Sequence, residues 1–227
     1  MRKLSLLIFA VTLSLIGFSQ TYNIDSSLNS IQSKKDSTLR AIMHADSAKV
    51  DKEFAEKTKW EKLKALAIYP VLKGGDYSGV IPVKDPTEIP DPNIEYKLLF
   101  EVTANNPDSA ANEINSGLDE VARIINLHVA SGIPLKQIIP VIVVHAGALN
   151  AITTDVYYQK HHKMNNPNLK LINDLKDVGA KFISCGQAMA FFDIKKEDLL
   201  PLVKVSLTAQ TVLSSYQLNG YVKYQIN

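Results

Sequence analysis

The chain has one cysteine in 227 residues, so it cannot close an internal disulfide, and the thiol of Cys185 is free, buried, modified or paired to another chain. It has no CxxC pair, no serine elbow and no glycine-rich loop directly after a strand, which removes the commonest redox, hydrolase and phosphate-binding signatures. It has no excess of either charge. The formal value is +2, so nucleic acid is not an expected partner. No cysteine or carboxylate cluster with ligand spacing accompanies the adjacent pair His161-His162, so neither a metal nor a cofactor is expected. The chain also lacks an apolar run long enough for a standard membrane span.

The longest apolar run lies at the N-terminus. Arg2 and Lys3 precede an apolar stretch from Leu4 to Phe18, and Gly17 and Ser19 stand at the −3 and −1 positions of a cleavage site. Residues 1–19 therefore read as a secretory signal peptide, with an uncleaved anchor as the alternative. No cysteine follows the run, which excludes lipoprotein processing. The expected location is exported, periplasmic or extracellular, with no stable membrane span once the signal is removed.

The rest divides by composition. Residues 20–68 form a polar, Ser/Asn-rich start, expected to be frayed to about residue 35, followed by a helical pattern from Asp36. Leu39, Ile42, Met43, Val50 and Phe54 make a thin apolar stripe there. It reads either as a helix packed on its own domain or as an oligomer or partner helix. Residues 69–95 hold Gly74, Gly75, Gly79 and five prolines, a pattern for an extended arm. From residue 96 to the end, apolar strands alternate with amphipathic helices. Strands are expected at 96–103, 138–144, 180–185, 203–207 and 221–226. Asn106-Pro107 and Asn166-Pro167 read as helix starts, while Tyr157, Tyr158 and the histidine pair fall in a polar segment. This alternation predicts an α/β fold: three layers, with a mostly parallel sheet of about five strands and helices on both faces.

Cys185 ends the strand 180–185 and is followed at once by Gly186 and a helix-compatible run. A thiol between a strand's C-terminal end and a helix N-terminus sits where the thiolate is favoured and anions bind. Free cysteine also fills apolar strand ends, so packing is the competing reading. His145 ends the neighbouring apolar strand and is expected on the same edge of the sheet, as a proton partner or as a histidine satisfied by loop carbonyls. Gly147 and Asn150 follow it and would let backbone approach a small ligand.

Three segments carry a family resemblance: residues 96–103 leading into Asn106-Pro107, residues 141–149 (VIVVHAGAL), and residues 175–201 (LKDVGAKFISCGQAMAFFDIKKEDLLP). Together they resemble the DsrE/DsrF-like family, small α/β proteins linked to sulfur transfer. The likeness runs from Tyr96 to the C-terminus. Where many members have an Arg-Gly pair before the isoleucine matching Ile194, this chain has Phe192-Asp193. The resemblance implies a sulfur-binding or sulfur-carrier role for Cys185 without turnover of its own, with His145 as proton partner and the Gly186 and Gln187 amides as an anion nest. It also implies a homo-oligomer and a protein sulfur donor or acceptor. The alternative is a non-catalytic ligand-binding or assembly module in which the cysteine is structural.

Overall fold

The computed structural model describes residues 24–227, and the signal peptide read at 1–19 lies outside the described residues. The described chain falls into two compact units, one ending at Thr58 and one running from Lys59 to Asn227. Helix α1 spans Ile24–Leu66. It begins well before the expected start at Asp36, because the Ser/Asn-rich residues ahead of that point carry no proline or glycine to stop a helix. Along residues 29–59 every side chain is exposed.

The second unit is built on five strands: β1 (Tyr96–Val102), β2 (Ile138–Val144), β3 (Lys181–Cys185), β4 (Lys204–Ser206) and β5 (Val222–Ile226). They form one sheet in the order β4-β3-β2-β1-β5. Every neighbouring pair is parallel, which gives the expected α/β class. Pro140 is the third residue of β2 and still lies in register, opposite Leu98.

Parallel pairing and the two-residue period assign the faces. One face carries Leu98, Phe100, Val102, Ile142, Val144 and Phe182. It packs the large core with Leu118, Val121 and Ile125 of α2 (Ser116–Ala130) and Leu171, Ile172 and Leu175 of α4 (Leu169–Asp177). The other face carries Leu99, Val141, Val143, Ile183 and Cys185 under Ala209 and Leu213 of α6 (Ala209–Leu218).

Two helix starts differ from expectation. α2 begins at Ser116, where the Asn115 side chain accepts from the amides of Gly117 and Leu118. Asn106 instead donates to the carbonyls of Ala110, Glu113 and Ile114 and so ties up a loop. Asn166 is spent in the same way, on the carbonyls of Ala151 and Thr153, and α4 starts three residues after it. The polar segment around Tyr157 is itself a helix, α3 (Asp155–His162), capped by Thr154. Within it His161 Nδ1 lies 2.8 Å from the Tyr157 carbonyl. Helix α5 (Gly186–Phe191) completes the set.

The Pro/Gly-rich arm is extended and held down by α2. Buried Asn126 accepts from the amides of Val71 and Leu72 and donates to the carbonyls of Leu72 and Ser78. Asp119 accepts from the Tyr77 amide at 3.0 Å. Leu72 is buried in the core as a result. Asn126→Ala would strand several buried backbone groups at once, and each costs roughly 1–3 kcal/mol when unpaired. Urea unfolding of this variant is expected to show a loss of about 3 kcal/mol; an unchanged midpoint would mean that the arm is not fastened through this side chain.

Candidate functional site around Cys185

Cys185 is the last residue of β3 and the residue before α5, and it is only 4% exposed. Its sulfur accepts a hydrogen bond from the amide of Ala209 at 3.2 Å. Ala209 is the first residue of α6. The first amides of a helix have no carbonyl partner inside the helix and carry the positive end of its dipole. The thiol therefore satisfies an amide at the start of a ten-residue helix, while Leu99, Val141, Val143, Ile183 and Leu213 share its apolar cluster.

The helix facing the sulfur is α6 and not α5, since the Cys185 side chain makes no capping hydrogen bond to α5. Gly186 has a packing duty. A Cβ built there would lie 2.7 Å from the Ser206 carbonyl oxygen and 3.3 Å from that of Leu207. Only glycine lets α5 start this close to the chain leaving β4. Gln187 lies beside it in the first turn of α5 and is exposed.

His145 continues β2 in extended geometry, with φ −151° and ψ −177°. The register pairs Val143 with Ile183 and Val144 with Ser184, so one further step along each strand reaches His145 and Cys185. Alternation puts both on the face that α6 covers. The imidazole, however, turns toward β1. Its Nε2 lies 3.1 Å from Oε1 of Glu101, and Lys223 of β5 donates to Oε2 at 2.8 Å. Glu101 and His145 are largely buried, Glu101 the more so, while Lys223 reaches in from an exposed position on β5. Among the described residues no hydrogen bond joins His145 to the Cys185 sulfur.

Burial pushes the Glu101 carboxyl up, but the Lys223 and His145 hydrogen bonds and charges outweigh it and leave it below the ordinary carboxylate range. An ionised carboxylate only accepts, so His145 donates from Nε2, and Nδ1 is the ring nitrogen left outside this contact. Glu101 and Lys223 were not singled out in the sequence. The available signal was a carboxylate interrupting the apolar run Leu98-Leu99-Phe100, while Lys223 belongs to the site only because β5 lies beside β1.

The remaining sequence candidates go elsewhere. A Cβ at Gly147 would lie 2.8 Å from that of Asn105, so this glycine permits a close approach of two loops. Asn150 lines a crevice with Asn105, Asn106, Asp108, Tyr158 and Asn168, whose volume of about 20 Å³ suits one water molecule. The lysines considered near the thiol are engaged or exposed. Lys181 donates to the Tyr216 hydroxyl at 2.6 Å, and Lys195 and Lys196 point to solvent. At the family's Arg-Gly position, Asp193 takes φ +53°, the left-handed conformation that a glycine accepts most readily and that Asp tolerates better than most.

Two measurements check this geometry. Because the native Glu101 carboxyl is held low, its stabilisation is complete above the unfolded value near pH ~4.3 and disappears as pH falls through the lower folded value. The stability gap between the unaltered chain and Glu101→Gln should therefore narrow as acid is added below about pH 4; a gap that widens in acid would contradict the ion network. Gly186→Ala should cost about 2 kcal/mol in chemical denaturation, from overpacking against backbone. A neutral result would show that the β4 exit has room to move.

Comparison with known proteins places the chain. No curated protein matches it. Among solved structures, one of a protein of unknown function from Methanobacterium thermoautotrophicum is similar at 16% identity and a TM-score of 0.44, covering 58% of this chain and 99% of that one. The family model described as DsrE/DsrF-like matches residues 97–223, the whole strand-and-helix alternation from β1 into β5. That match spans more than half of the sequence, and the chain belongs to the DsrE/DsrF-like family.

Proposed function

We propose that the protein is an exported sulfur carrier that binds a sulfane sulfur on Cys185 and passes it to a protein partner. The observation that supports this reading is the Ala209 amide aimed at the sulfur from the start of α6. A donor N–H and the positive end of a helix dipole stabilise a thiolate and its persulfide anion. The family's sulfur-relay type of fold agrees with it. In the transfer step the Cys185 thiolate attacks the outer sulfur of a donor persulfide, R–S–SH. The new S–S bond forms on Cys185, the donor S–S bond breaks, and the donor leaves as thiolate R–S⁻. His145, with Nε2 committed to Glu101, takes the thiol proton at Nδ1 as the thiolate forms. Because the sulfur is nearly enclosed, a local opening of the α5–α6 edge must precede its contact with a donor. The N-terminal apolar run supports export, and an exported carrier would make this exchange outside the cytosol.

The burial of the thiol favours a second reading, in which Cys185 is packing and the protein is a binding or assembly module. Intact-mass analysis separates the two. After exposure to inorganic polysulfide, the folded protein should gain the mass of one sulfur, removable by dithiothreitol and absent from Cys185→Ser. If the native protein gains nothing and only the denatured chain does, the packing reading stands. His145→Ala should slow the uptake by about a hundredfold, the lower end of the range for a positioned proton acceptor; an unchanged rate removes His145 from the site.

A further inference from the structure

We infer that the outer part of α1 is an antiparallel pairing element whose partner is the same helix of a second copy of this chain. The inference does not depend on the chemistry of Cys185. Within the unit that ends at Thr58, the helix carries Ile31, Leu39, Ile42, Met43, Val50 and Phe54, all exposed, with Phe54 at 72% and Met43 at 70%. Their spacing is regular. Ile31 and Ile42, Leu39 and Val50, and Met43 and Phe54 are each eleven residues apart. Eleven residues close three turns almost evenly, so the stripe stays on one side of the helix over the roughly 36 Å from Ile31 to Phe54. A helix of this length draws its stability from packing more than from propensity, and nothing in its own unit covers the stripe.

The charges identify what covers it. Lys35 precedes Leu39 by four residues, and Asp46 lies four after Ile42 and four before Val50, so both stand inside the stripe. Neither takes part in an ion pair among the described residues, whereas Glu53, further along, is paired with Lys49. A parallel pair in register would set Lys35 against Lys35 and Asp46 against Asp46. An antiparallel pair centred between Arg40 and Ala41 sets Lys35 opposite Asp46, Ile31 opposite Val50 and Leu39 opposite Ile42, each twice by symmetry. One register thus matches both stripe charges with their opposites and four of the six apolar positions with apolar ones, with Met43 falling opposite Thr38. That self-complementarity is what an isologous two-fold interface requires.

Cross-linking in the full chain tests orientation and register together. In a Cys185→Ser background, mixing Ile31→Cys and Val50→Cys proteins under mild oxidation should give the mixed disulfide, while each variant alone should link little. In the antiparallel pair the two copies of residue 31 stand about 28 Å apart, far beyond disulfide reach. Lys35→Asp or Asp46→Lys, introduced into both proteins of the mixture, should raise the protein concentration needed for linking by about tenfold, because each creates two like-charge contacts. The double exchange should restore it. Self-linking of Ile31→Cys, no linking at all, or a double exchange that fails to restore the yield would each overturn the proposal. All these residues are exposed and lie outside the sheet unit, so loss of its fold does not confuse the result.

Discussion

Parallel pairing of β1, β2 and β3 is the constraint on which the rest depends. With a side-chain period of two and a shared strand direction, Glu101, His145 and Cys185 are carried to one face at the C-terminal edge of the sheet. A slip of one residue in any strand would send its group to the opposite face, into the large core packed by α2 and α4. The apolar partners in each strand hold the register: Leu99, Val141, Val143 and Ile183 must lie under α6 while Leu98, Phe100, Ile142 and Phe182 lie under the other helices. Ordinary core packing thus positions the candidate chemistry.

At that edge two local solutions stand side by side. The first is the start of α6, whose leading amide has no partner in its own helix and finds one in the Cys185 sulfur. The second is the hydrogen-bonded chain Lys223–Glu101–His145, in which a carboxylate is kept ionised by a lysine from one neighbouring strand and fixes the imidazole at the end of the other. The histidine is oriented by the carboxylate and not by the thiol. Its role toward sulfur therefore rests on the free Nδ1 and on the shared face. Burial cuts the other way: an enclosed thiol is protected from stray oxidation and reaches a donor only when the edge opens.

Much of the scaffold was legible because its signals are local. Continuous apolar runs marked β1 and β2, and spacings of three and four marked α2 and α4. The helix starts were misplaced because asparagine does two jobs with one side chain. Asn115 caps a helix, while Asn106 and Asn166 bind loop carbonyls, and only the surrounding fold decides which. α1 extends further toward the N-terminus than its polar composition suggests, because a polar stretch without proline or glycine can continue a helix as readily as fray. At the site, the strand-end positions of Cys185 and His145 could be read from sequence. The amide on the thiol could not be, since Ala209 is 24 residues further along the chain. Glu101 and Lys223 are 122 residues apart and meet only through the order β2-β1-β5.

The claim that carries the functional account is that the Cys185 sulfur reacts in the folded protein. The most direct measurement is the rate of iodoacetamide alkylation near neutral pH, followed by peptide mapping while circular dichroism monitors the fold. The account predicts that Cys185 is modified while the native spectrum persists. Modification that begins only once the spectrum is lost would contradict it and leave the thiol as a packing residue under α6.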